Sequence, residues 1–261
     1  MMGHRLIMAA SNLGLTYVET VLQDKPVAFW QLNETSGTVA LDSSGNGNNA
    51  SISGTVTLGQ AGIPAGGGSF AFNDGTLTAA NNYIYGDQAV TVEAWVKGSN
   101  TENMQFFDAG GIGSQGVSFQ LGVTAATNGV GNNPPASGIG PYFTQYSEDC
   151  WLPGTGPNVF DGNWHYIAVV RNGLEIQLFV DGEQPQGITD ASTSSWTALE
   201  SQPFTTYATP DTTQNPILIG NSREPVWTGL AYWIGNLSNV AIYNTALSAA
   251  RIQAHYNAGI S

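Results

Sequence analysis

The chain has 261 residues, with 33 Gly and only 10% charged residues. That length suits one large β domain, and the composition is that of short strands and tight turns, which argues against a helical bundle. The formal net charge of −13, with six Lys plus Arg, argues against nucleic acid as a partner, because such a surface repels phosphate backbones.

The single Cys150 excludes an internal disulfide and fits a fold that needs no bridges. No apolar run approaches the length of a membrane span, so no membrane insertion is expected. The opening Met1 to Arg5, then L-I-M-A-A-S-N-L-G-L, imitates a secretory signal only faintly. Ser11 and Asn12 interrupt it and no small-x-small site follows, so the chain is expected to be unprocessed.

Thr16-Tyr-Val-Glu19 is a capping-box pattern that predicts a one- to two-turn helix, ended by Pro26. Val27 to Leu32 reads as a strand, followed by a turn at 33–37. Asp42-Ser-Ser-Gly-Asn-Gly-Asn-Asn49 is dense in side-chain oxygens. Such a loop can present oxygens to Ca²⁺, with Asp42 as the charged ligand helped by Asn46 and Asn48. It equally suits Asx-turns that only close a loop.

Ser69 to Phe72, Tyr83 to Tyr85, and Ala89 to Val96 read as strands, the last with Val90, Val92, Ala94 and Val96 on one face. Met104 to Ala109 and Val117 to Val123 continue the series. Residues 125–159 then break the pattern with Gly, Asn and Pro, and 184–216 form a second insertion rich in Thr and Ser. Long loops of this kind are often functional.

Between the insertions, Asp161 to Glu183 reads as a hairpin. Asn172-Gly173 suits a type I′ turn, and Leu174, Ile176, Leu178 and Val180 share a face. Trp164 reads as core and His165 as a satisfied strand residue. Ile217 to Gly220 and Tyr232 to Tyr243 read as the last strands. Ser248 caps a closing helix over Ala249 to Asn257, with Ile252 and Tyr256 turned inward.

Four stretches carry a resemblance: V-A-F-W-Q-L-N-E-T-S-G-T-V-A-L-D-S-S-G-N-G-N-N-A, the Trp95-Val96 pair, D-G-N-W-H-Y-I-A-V-V-R with L-F-V-D-G, and G-N-L-S-N-V-A-I-Y-N-T-A-L-S. From about Val27 to Ala258 the chain resembles the laminin-G-like domains of the concanavalin A-like lectin superfamily, pentraxin-like jelly rolls. The resemblance implies an all-β fold, an antiparallel β-sandwich with short N- and C-terminal helices. The expected organisation is an N-terminal arm, 1–24, and one jelly-roll domain, 25–261, with loop insertions at 125–159 and 184–216. Ser238 and Asn239 stand where the family usually carries an acidic residue, which weakens an inherited metal site.

Glycosidases occur on this fold and need two carboxyl groups about 5–5.5 Å apart for the retaining reaction. The Glu-x-Asp-x-x-Glu signature of such enzymes is missing. Glu175 faces Gln177 instead of a second carboxylate, Gly182 puts Asp181 and Glu183 in a turn, and Glu148-Asp149 would point apart. No Gly-x-Ser-x-Gly elbow and no zinc spacing occur. The expectation is therefore a non-catalytic binding or structural module.

Its candidate ligand-binding residues are Tyr142, Tyr146, Trp151, Trp196, Tyr207 and Trp227, with Trp233 beside them. Aromatic platforms suit sugar faces, and the same residue types also cover sandwiches or fill subunit interfaces. The expected setting is a phage virion, as a decoration, fibre or tail component. Its partners would be other virion proteins or a second copy, reached through residues 1–23, and a cell-surface glycan. The alternatives are a secreted or cell-surface carbohydrate-binding module and, third, a glycoside hydrolase.

Overall fold

The computed structural model describes residues 15–81, 84, 88–99, 103–109, 119–124, 140–145, 148–151, 158–172, 175–184, 189–190, 216–221 and 230–261. In chain order its elements are α1 (Tyr17–Gln23), β1 (Ala28–Trp30), β2 (Val39–Ala40), β3 (Ala50–Ile63), β4 (Gly66–Ala79), β5 (Val90–Lys97), β6 (Asn103–Asp108), β7 (Phe119–Thr124) and β8 (Gly140–Gln145). There follow β9 (Glu148–Trp151), β10 (His165–Asn172), β11 (Glu175–Val180), β12 (Thr189–Asp190), β13 (Ile217–Ile219), β14 (Leu230–Tyr232), β15 (Ile234–Tyr243) and α2 (Ala249–Ile260). Hydrogen bonds link the strands in the order β11-β10-β5-β15-β4-β13-β6-β7-β8-β9-β12, with β1 on β15, β14 on β6, β3 on β4 and β2 on β3. Pairing is antiparallel throughout the described ladder except between β14 and β6.

The expected all-β sandwich is the fold. Val92 and Val96 of β5, Val169 of β10, Phe107 of β6 and Leu121 of β7 share one buried cluster. Strands far apart in the ladder thus enclose a single core, so the sheet folds over on itself. Trp233, counted above with the surface aromatics, belongs to this core. It is fully buried, 5.7 Å from Phe106 and 6.1 Å from Phe160 by ring centroids. Its neighbours in sequence, Tyr232 and Ile234, bracket a residue pinned by the Trp233 N–H to Gly220 O bond.

The outer face of β10, β5 and β15 is buried too. Trp95, Tyr166, Ala168, Phe179 and Tyr243 form a second cluster with Tyr17 and Val21 of α1 and Ile252 of α2. This explains why those strands are apolar on both faces. The capping box of α1 is present as expected: Thr16 Oγ1 accepts from the Glu19 N–H and the Glu19 carboxylate accepts from the Thr16 N–H. A helix of seven residues cannot stand alone, and the burial of Tyr17 and Val21 supplies its support. α1 thus packs on this chain's own sheet. Residues 1–14 of the expected arm lie outside the described residues.

One expectation about register is corrected. Asn172 pairs with Glu175 as the last rung of the β10/β11 hairpin, so Asn172 belongs to the ladder and not to the turn expected at Asn172-Gly173; residues 173–174 lie outside the described residues. Register follows the core, since Val169 and Leu178 must face each other to be buried together. The insertions carry short strands. Residues 125–159 contain β8 and β9, and 184–216 contain β12, which pairs with β9 through Thr189↔Trp151 and Asp190↔Cys150. P-Y-F-T-Q and E-D-C-W lack apolar alternation, so backbone pairing leaves no period-2 signal there.

Candidate functional site

The two insertions build the far edge of the sheet together. In the β8/β9 hairpin, Tyr142 and Trp151 are Cα partners, with Phe143↔Cys150 and Thr144↔Asp149 beside them. Two of the six expected ligand-binding aromatics are thereby opposed across one ladder. β12 from the second insertion closes on Trp151 from the other side. Tyr146, Trp196, Tyr207 and Trp227 lie outside the described residues.

The Asp42 loop is built around hydrogen-bond donors. Asp42 Oδ1 accepts from the N–H groups of Phe29 and Ser44, both at 2.9 Å. Oδ2 accepts from the Asn48 N–H at 2.9 Å and the Ser44 hydroxyl at 2.8 Å. Partial burial raises the carboxyl's pKa, but the N–H bonds from Asn48 and Phe29, with those from Ser44, outweigh it and hold Asp42 below the usual carboxylate value. Asn46 and Asn48 both donate Nδ2 to the Val27 carbonyl, at 3.2 and 2.7 Å. A calcium site needs oxygen lone pairs converging on one point. Here both oxygens of Asp42 are occupied by donors and both asparagines present N–H groups inward, so this arrangement does not fit the cation. Ser238 and Asn239 are likewise engaged: Ser238 Oγ donates to Gly68 O and Asn239 Nδ2 to Ser238 Oγ, each at 2.8 Å. No cluster of three or more His, Cys, Asp or Glu is arranged for a metal among the described residues.

Of the carboxylates weighed for catalysis, Asp181 is engaged, and the side chains of Glu148, Asp149 and Glu175 lie outside the described residues. Asp181 follows β11 with φ of +52°; its Oδ1 accepts from the Tyr166 N–H and its Oδ2 meets His165 Nδ1, at 2.9 and 2.8 Å. His165 Nε2 faces Asp161 Oδ1 at 3.1 Å. Burial works against the imidazolium, yet the bonds and charges of Asp181 and Asp161 keep His165 above its ordinary pKa. This is a satisfied strand histidine, which is the bland reading given to it above. Trp164 is half-buried and packs on the second cluster.

Glu93 is the group that sequence reasoning missed. It projects from β5 into the second cluster, fully buried. It accepts from the hydroxyls of Tyr166 and Tyr243 and bonds His255 Nδ1 at 2.8 Å. Burial first, then the Glu93 charge, hold both phenols well above their usual pKa, so both remain donors. Its partners stand 73 to 162 residues away, and no local spacing could announce them. A cleft of about 430 Å³ opens beside Lys97, Gly162 and Asn236, and no carboxylate is among its described lining residues.

A family model described as the concanavalin A-like lectin/glucanases superfamily matches residues 66–253. The chain belongs to that superfamily. Among solved structures it is similar to domain 4 of an extracellular arabinanase from Geobacillus stearothermophilus, determined in complex with arabinotriose. That match has 15% identity, a TM-score of 0.52, and covers 89% of this chain and 98% of that domain. It is also similar to the botulinum neurotoxin serotype D binding domain, with TM-score 0.51 and 14% identity over 92% of this chain and 52% of that one. Trypanosoma rangeli sialidase with the inhibitor DANA gives TM-score 0.50 and 14% identity over 88% of this chain but 32% of the sialidase. The chain thus spans about half of the neurotoxin domain and a third of the sialidase, and at these identities the likeness is one of fold. No curated protein matches the chain in sequence.

Proposed function

We propose that this protein is a non-catalytic carbohydrate-binding module whose recognition surface is the sheet edge formed by β8, β9 and β12. The observation that carries this reading is the opposition of Tyr142 and Trp151 across the β8/β9 ladder. Backbone pairing sets these two residues opposite each other, and aromatic faces stack on the C–H faces of sugars. The superfamily's name joins lectins with glucanases, and the arabinanase domain, matched over 98% of its length, was determined with a bound trisaccharide. A net charge of −13 favours neutral oligosaccharides over anionic ones.

The engaged state of Glu93, Asp42, Asp161 and Asp181 supports binding without cleavage, since each carboxylate already holds protein donors. The same reading sets the module on an exposed surface that meets glycans, a virion or a secreted protein. Copurification with particles at fixed stoichiometry would select the virion. The test of function is a glycan array followed by calorimetry on the best neutral oligosaccharide, with a reducing-end assay on the same sugar. Saturable binding without release of reducing ends is expected. Steady release of reducing ends, or no binding to any neutral glycan, would overturn the proposal.

A further inference from the structure

His255 lies fully buried between two carboxylates, with Nδ1 2.8 Å from Glu93 Oε2 and Nε2 2.8 Å from Asp24 Oδ2. A neutral imidazole carries one N–H and can donate from only one ring nitrogen, whereas an ionised carboxylate only accepts. With both carboxylates ionised, both bonds at once require the imidazolium. Arg251 completes the chain, its Nε 2.8 Å from the same Asp24 Oδ2 and its Nη2 3.1 Å from Thr20 O. Two cations and two anions thus balance across three pieces of structure: the sheet through Glu93, the end of α1 through Asp24, and α2 through His255 and Arg251.

We propose that this chain of charges is a pH-sensitive latch: imidazolium at His255 clamps α1 and α2 onto the outer face of the β10, β5 and β15 sheet, and its deprotonation loosens them.

The surroundings leave His255 as the group that responds in the neutral range. From β5 it meets Glu93, and from α1 it meets Asp24, with Tyr17 in the same cluster. From β10 and β15, Tyr166 and Tyr243 reach Glu93, and on its own helix Arg251 shares Asp24. All three phenols are held well above their usual pKa, by burial first and then by Glu93, so they stay neutral while histidine titrates. Burial alone would push the imidazole down. The charge of Glu93 and the bonds to Glu93 and Asp24 outweigh it and raise His255 above its ordinary value. A group with a raised folded pKa contributes stability that is complete below its unfolded pKa, about 6.5, and is lost as pH rises through the folded one. Once His255 is neutral, the buried carboxylate of Glu93 loses its counter-charge, a costly state.

Two readings on the full chain test this. NMR titration of the imidazole carbons and nitrogens should find His255 doubly protonated near pH 7, with His4→Gln and His165→Gln used to assign the three histidine signals. Trypsin cleavage after Arg251 requires α2 to unwind. Its rate, divided by that on a free peptide spanning 245–257, should rise from about pH 6 to 9, by at most about tenfold per pH unit for a single proton. A His255→Gln chain should be cleaved readily at every pH in that range. A neutral His255 near pH 7, or a normalised cleavage rate that stays flat in the wild type, would overturn the latch. The wild-type readings decide the matter whether or not His255→Gln folds.

Discussion

Trp95 and Tyr256 lie stacked, with ring centroids 5.9 Å apart and planes 18° from parallel. The pair joins a strand of the inner sheet to the closing helix. One turn on from Tyr256, the backbone of Gly259 rests on the same indole, so that a Cβ at that position would run into the Trp95 ring. The ring cannot retreat, because Tyr17 and Tyr166 flank it at 6.2 and 5.4 Å. Gly259→Ala should therefore destabilise the fold by about 1–2 kcal/mol. Overpacking costs about 1–3 kcal/mol, and the better helix propensity of Ala returns up to about 1. Urea unfolding of the two proteins checks this; a more stable variant would show that α2 is free to shift.

Asp42 organises the loop after β2 through four donors. Asp42→Ala leaves three partly buried N–H groups without their acceptor and should cost about 2–4 kcal/mol. Because its folded pKa is depressed, Asp42's contribution is present above the ordinary carboxylate value and is lost as pH falls through the folded one. Acid unfolding of the wild type should show this loss and that of Asp42→Ala should not. Added Ca²⁺ should leave the wild-type melting temperature unchanged, since ligand binding to the native state alone would raise it.

His165 is clamped between Asp161 and Asp181 as His255 is between Glu93 and Asp24, but nearer the surface. Its raised pKa means that the clamp's stability is present below about 6.5 and is lost as pH rises through the folded value. Asp181→Asn should lower the imidazole's pKa and flatten that part of the pH–stability profile. An unchanged His165 titration in Asp181→Asn would remove the clamp from the account.

Much of the fold is legible because its signals are local. The Thr16–Glu19 box, the Ser248 cap and the Val90–Val96 alternation each use residues within one element, and each forms its expected helix or strand. What is illegible depends on distant partners. β3 runs for fourteen residues through Gly54 and Gly59, both at positive φ, with register shifts that break its period. β8, β9 and β12 are held by pairing that their polar composition does not advertise. Trp233 reads as one of the binding aromatics because its burial is set by Phe106 and Phe160, far off in sequence. The six ligand-binding candidates share only their residue type, and the register brings together Tyr142 and Trp151.

The most direct test of the carbohydrate-binding account is a paired measurement on Trp151→Ala: a binding isotherm for the best neutral oligosaccharide and a thermal melt. An aromatic anchor at the centre of a recognition surface contributes about 2 kcal/mol, so affinity should fall roughly thirty-fold. The melting temperature should stay within about 2 °C of the wild type, as it does for surface substitutions. Unchanged affinity in Trp151→Ala, with the protein folded, would contradict the account.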